Sequence, residues 1–122
     1  MGKVPSSMFS SCQSLETVVL EEGIITLGSS CFKNCGKLVD INLDVPGLTT
    51  IEQSAFWGGS SLTAVTLNDG ITSLGTNVFL NCSGLQTAVL PQSITSIPSS
   101  TFDGCSALHD VTISDGVKKK KK

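Results

Sequence analysis

The chain has 122 residues, of which 39% are hydrophobic, and a formal net charge of −2. That is enough apolar material for one domain with a continuous core, while a single histidine and the lack of arginine and tyrosine leave little inventory for catalysis. All eight basic residues are lysines and five of them form the terminal run 118–122; without it the body holds three lysines against ten carboxylates, a net charge of −7 that repels phosphate backbones, so no nucleic-acid partner is expected for the body.

Phenylalanine recurs at Phe9, Phe32, Phe56, Phe79 and Phe102, with spacings of 23, 24, 23 and 23 residues. A fixed period of this length marks a solenoid, in which a unit gains a core only by stacking on its neighbours. Each unit starts with an aliphatic residue five before Phe: Val4, Leu27, Ile51, Leu74 and Ile97. The hydroxyl-rich stretch that follows, as in Ser29-Ser30-Cys31-Phe32, has room for about one or two helical turns and reads as a short helix or 3₁₀ turn. Two residues after Phe stand Ser11, Asn34, Gly58, Asn81 and Gly104, types that tolerate a left-handed backbone.

From the leucine six after Phe each unit reads L-x-x-V-x-L, as in Leu62 to Leu67, and its end alternates with strand period. A turn marked by Gly23, Gly47, Gly70, Ser93 and Gly116 closes the unit, and the rung Ile24, Leu48, Ile71, Ile94 and Val117 opens a short extended piece on the far side. One extra residue at Val45-Pro46 accounts for the spacing of 24. The expected fold is a repeat solenoid of leucine-rich type, α/β or mainly β, with one parallel strand per coil and short helical or 3₁₀ turns. Its five coils span residues 1–117, followed by the lysine tail 118–122.

The run Ile97-Pro98-Ser99-Ser100-Thr101-Phe102-Asp103-Gly104-Cys105-Ser106-Ala107-Leu108, then Val111-Thr112-Ile113, closely resembles the BspA-like leucine-rich repeat family, and the likeness extends from Val4 to Val117. Gly59 in place of Cys, Ala88 in a strand and the lack of capping repeats depart from the pattern. The resemblance implies a protein-interaction or adhesion module on a cell surface or secreted, whose partner is a matrix or cell-surface protein. A structural spacer or self-associating array, joined through uncapped end coils, is the other class.

Cys12, Cys35, Cys82 and Cys105 each follow Phe by three residues and form a ladder, one per coil. Ligands recurring at 23 residues with no histidine beside them do not make a metal site, so free buried thiols are expected, with no metal and no cofactor. Cys31, one residue before Phe, is expected half-buried. His109 shares its place with Glu16, Val39, Thr63 and Gln86, a variable and solvent-facing position, and its neighbour Asp110 points to the opposite strand face. No catalytic residue is expected. Glu21 and Glu22 fit a solvated turn, and Asn81-Cys82-Ser83 matches a glycosylation sequon around a cysteine expected in the core.

Binding falls to the outward strand residues. On a concave sheet these form two polar ladders that include Thr17, Asp40, Asn42, Thr66, Thr87, Asp110 and Thr112. The ladders hold no aromatic or arginine anchor, so a weak contact surface multiplied along an array and a merely solvated face both fit. Trp57 and Leu80, just after Phe in adjacent coils, form an apolar contact pair on the outside, or else Trp57 lies partly buried against Gly58-Gly59. The lysine tail reads as a solubilising end that discourages edge pairing, against attraction to anionic lipid. A start inside the first unit, with no signal peptide and no membrane-length apolar run, points to a fragment or a built array taken from a longer one.

Overall fold

A computed structural model of the chain describes residues 2–94 and 96–113. Its strands are β1 (Lys3–Val4), β2 (Thr17–Val18), β3 (Thr26–Leu27), β4 (Asp40–Ile41), β5 (Thr50–Ile51), β6 (Ala64–Thr66), β7 (Ser73–Leu74), β8 (Thr87–Leu90) and β9 (Asp110–Ile113). Every strand pair is parallel. β1, β3, β5 and β7 form one sheet on the far side, while the outward strands divide into β2–β4 and β6–β8–β9. The first four coils therefore hold two short strands each, one more than expected. The tail 118–122 and the turn at Gly116 lie outside the described residues.

The five phenylalanines stack in a row through the interior. Successive ring centroids stand 5.4, 5.5, 5.6 and 5.9 Å apart and no pair is tilted by more than 10°. This separation is close to the spacing of paired strands, so one coil-to-coil distance satisfies rings and backbone together. Phe32, Phe56 and Phe79 are fully buried, whereas Phe9 and Phe102 at the ends of the row are half-covered. The aliphatic rungs follow: Leu27 and Ile51 on the far side, Leu38, Leu62 and Leu85 after the Phe turn, and Leu43, Leu67 and Leu90 at the strand ends are all buried.

The stretch around Phe is built of turns, and there is no helix among the described residues. Two residues before Phe, Ser7, Ser30, Ser54, Asn77 and Ser100 all have φ of 58–62°. Two residues after it, Ser11, Asn34 and Asn81 have φ of 60–62°, and Gly58 and Gly104 are also left-handed. A right-handed helix cannot pass through such residues. They sit instead at the third place of successive turns, where positive φ belongs, as in the Met8 N–H to Pro5 bond of 3.2 Å and the Cys12 N–H to Phe9 bond of 3.2 Å. Alternate N–H groups thereby turn toward the next coil. Ser30, Phe32 and Asn34 donate to the carbonyls of Gln53, Ala55 and Trp57 at 3.0, 2.9 and 2.6 Å. A helix would have used these donors within its own coil, and the stack would have lost one of its ladders.

Side chains complete the backbone pairing. Cys35, Cys82 and Cys105 donate S–H to the carbonyls of Phe9, Phe56 and Phe79 in the preceding coils, each at 3.1 Å. Gly59 leaves the Phe32 carbonyl without this bond. At the left-handed position after Phe, large and small residues alternate: a Cβ on Gly58 would collide with Asn34 Oδ1, and one on Gly104 with Asn81 Oδ1. Cys31 is fully buried, not half-buried, because its column with Ala55, Val78 and Thr101 faces the core. All five cysteines are free thiols. Burial pushes the Cys31 and Cys82 thiols up from 9.0 to about 12, and raises those of Cys35 and Cys105 as well.

Four outcomes follow from this packing. Phe56→Ala, in the middle of the row, is expected to lower the unfolding free energy by about 3–5 kcal/mol in urea titration, and Phe102→Ala by clearly less. Gly59→Cys places a thiol among the neighbours that its equivalents already have in the second and fourth coils, and is expected to raise the urea midpoint through a bond to the Phe32 carbonyl. A thiol reagent at pH 8 is expected to label Cys12 rapidly and the four buried cysteines only on unfolding. Because folding raises the buried thiol pKa values, stability is full below about pH 9 and declines as pH rises toward 12, which thermal melts across that range check.

Candidate binding surface

The outward strand positions fall into register by backbone pairing. Thr17 pairs with Asp40, Ala64 with Thr87 and Thr87 with Asp110, while Thr66, Val89 and Thr112 form a second row. Strand alternation sends Ile41, Val65 and Ala88 into the core and leaves Thr17, Asp40, Thr66, Asp110 and Thr112 exposed, with Thr87 half-buried. Thr112 Oγ1 lies 3.5 Å from Asp110 Oδ1 in the last described strand. The rows are hydroxyl-rich with isolated carboxylates, and Val19, 74% exposed, is the most open apolar residue on this side.

Asn42 differs from the other residues of its row. Its Oδ1 accepts from the Leu20 N–H at 2.6 Å and its Nδ2 donates to the Leu20 carbonyl at 3.0 Å. The side chain takes the place that the backbone of Val89 fills for Leu67 two coils later, so this amide extends the first strand pair and is occupied. The sequence gives only the residue type there, and this use depends on a contact with the preceding coil that the residue type does not reveal.

The two ladders are also not continuous. The residue seven after Phe donates to its counterpart in the preceding coil at three junctions: Val39 to Glu16, Gln86 to Thr63 and His109 to Gln86, at 2.8, 2.8 and 3.0 Å. At the junction of the second and third coils the matching pair, Thr63 and Val39, is unbonded among the described residues, and β4 and β6 belong to separate sheets. The extra residue of the second coil lies just beyond this break. Val45 drops into the core, and the Leu43 N–H folds back to the Ile41 carbonyl at 3.1 Å instead of reaching the third coil.

On the outer turn, Trp57 is half-buried with Lys33 Nζ 4.6 Å from its ring centroid, and Leu80 in the next coil is also half-buried. The lysine from the preceding coil covers the indole, a cation–π contact that sequence spacing alone does not reveal. Glu52 ties three coils together: it accepts from the Ser29 N–H at 3.1 Å and meets Lys3 Nζ at 3.8 Å. His109 is exposed and its backbone N–H bonds to Gln86. It borders an open hollow over the fifth coil, with Ile97, Phe102, Leu108 and Val111, on the face that a following coil covers elsewhere in the stack. Among the described residues no three His, Cys, Asp or Glu side chains converge as metal ligands, and no helix is long and apolar enough to cross a membrane.

The whole of residues 2–122 matches the BspA type leucine rich repeat region, in six copies. No curated protein matches the chain. Among solved structures, a leucine-rich repeat protein of T. pallidum is 33% identical with a TM-score of 0.85, over 89% of this chain and 50% of its own. A leucine-rich cell surface protein of Faecalibacterium prausnitzii is 30% identical with a TM-score of 0.82, over 95% of this chain and 30% of its own. The pneumococcal vaccine antigen PcpA is 25% identical with a TM-score of 0.82, over 98% of this chain and 33% of its own. The chain thus spans from under a third to half the length of these relatives. With its period, its parallel strands and its column of phenylalanines, the chain belongs to the BspA-type leucine-rich repeat family.

Proposed function

We propose that the chain is a non-catalytic protein-interaction or adhesion module that meets its partner with the outward strand face. The observation that carries this reading is the in-register row from Ala64 through Thr87 to Asp110, beside the row of Thr66, Val89 and Thr112. A rigid core fixes these side chains at one coil spacing, and none of them is used to hold the fold in the way that Asn42 is. The buried thiols and the isolated His109 offer no nucleophile or general base in a shared site. The partner class is a matrix or cell-surface protein. A surface setting is supported by the name of the F. prausnitzii relative, a cell surface protein.

Such a face holds no buried aromatic or arginine anchor, so five coils bind weakly and a longer or clustered array gains by avidity. Trp57 with Leu80 forms a smaller apolar contact on the outer turn, already half covered by Lys33.

A second reading, a structural spacer that self-associates end to end, is favoured by the direction of the Phe-side ladder. Its N–H groups always point to the following coil, which leaves those of Ser100, Phe102 and Gly104 without acceptors among the described residues. Recovery of immobilised extracellular-matrix proteins separates the two. The Asp40→Lys, Asp110→Lys double variant is expected to change recovery at least about threefold while leaving the melting temperature within a few degrees. Equal recovery with both proteins, together with concentration-dependent oligomers on sizing, would replace the first reading by the second.

A further inference from the structure

The junction of the second and third coils is held on two of its three sides. On the far side Thr49 N–H donates to Ile25 and Glu52 N–H to Leu27, both at 2.9 Å. On the Phe side Phe32 N–H donates to Ala55 at 2.9 Å, and the Phe32 and Phe56 rings stack at 5.5 Å like every other pair. On the strand side the backbone ladder present at the other three junctions is missing: β4 and β6 are not paired with each other, the Leu43 N–H is folded back on Ile41, and the contacts that remain flank the strands, from Ser61 Oγ to the Gly36 carbonyl at 2.6 Å before them and from Asn68 N–H to Leu43 at 3.1 Å and Asn68 Nδ2 to Leu48 at 2.9 Å after them. Two sides with continuous backbone ladders and one held only at its edges describe a hinge.

We propose that this junction is a built-in hinge, about which coils one and two swing as one leaf against coils three to five, opening and narrowing the strand face between Asp40 and Ala64. The inference stands apart from the binding reading, since it concerns how the stack moves whether or not a partner is present. Within each leaf the strands are paired: β2 with β4 in one, and β6, β8 and β9 in the other. Bending in an elongated stack concentrates where the fewest bonds must stretch, and the axis lies along the two intact ladders. The extra residue at Val45-Pro46 lies just beyond β4 on this same side of the coil, and its valine is buried and keeps the core filled.

Native-state hydrogen exchange resolved by NMR tests the open side directly. The Thr63 amide is expected to exchange about tenfold faster or more than the amides of Gln86 and His109, its bonded counterparts, while Phe32 and Thr49 across the same junction stay protected. Motion is read from spin labels in a background without Cys12, placed at the exposed positions Glu16 and Thr63 in one protein and Thr63 and His109 in another, each pair two coils apart. The first pair, which spans the hinge, is expected to give the broader distance distribution, and deletion of Pro46 to narrow it. Should the deletion variant fail to fold, the wild-type comparison decides alone. Equal protection at Thr63 and Gln86, or equal widths for the two label pairs, would overturn the proposal.

Discussion

No coil of this chain has an inside of its own. The ring of Phe56 is buried because Phe32 lies on one face and Phe79 on the other, at 5.5 and 5.6 Å, and the same holds for the leucines and isoleucines above and below it. Stacking of aromatic rings contributes roughly 0.5–1.5 kcal/mol per pair beyond the area they bury. The more important effect is geometric. Ring stacking and parallel backbone pairing demand nearly the same translation between coils, so one repeat distance serves the aromatic column, the far-side sheet and the thiol-to-carbonyl bonds together. Any residue that disturbs that translation is felt along the axis, and the single insertion in the second coil shows where the stack absorbs such a disturbance: on the strand side, with the other two sides unchanged.

This arrangement separates chemistry from recognition. Four of the five thiols, the most reactive groups in the chain, lie inside with their acidity suppressed by burial, and three of these act as small donors. The histidine lies outside, and among the described residues no side chain is bonded to its ring to make it a base. What reaches solvent in repeated order is threonine, aspartate and valine on flat strands, a surface whose strength depends on how many copies are presented at once. A substitution at these outward positions leaves the inward ones, and so the core, untouched.

Much of this was legible in the residues because a solenoid writes its fold once per turn. The five-residue columns around Phe identified the core, the strand with its alternation, and the turn glycines. The left-handed position after Phe could be read from Asn34, Gly58, Asn81 and Gly104, types that favour it. Its counterpart two residues before Phe could not, since four of the five residues there are serines, for which a helix cap is an equally ordinary use; the expected helical turn arose from that ambiguity. Cys31 was misplaced because its column mixes Met8, Ala55, Val78 and Thr101 and so reads as half-buried, whereas only Met8, in the first coil, is exposed. The binding face was legible as a set of outward positions. The double bond from Asn42 to Leu20 and the break after β4 were not, because both depend on contacts between coils that a single unit does not encode.

The alternation of asparagine and glycine two residues after phenylalanine has a bearing on how such chains grow. Asn34 overhangs Gly58, and Asn81 overhangs Gly104, so the interlocking part is a pair of neighbours, with one member supplying the bulk and the other the vacancy. Gene duplication that copied a lone asparagine-bearing turn would set amide against β-carbon, whereas copying two consecutive turns preserves the fit. The interlocking unit at this position is therefore a pair of coils, double the length that the phenylalanines advertise.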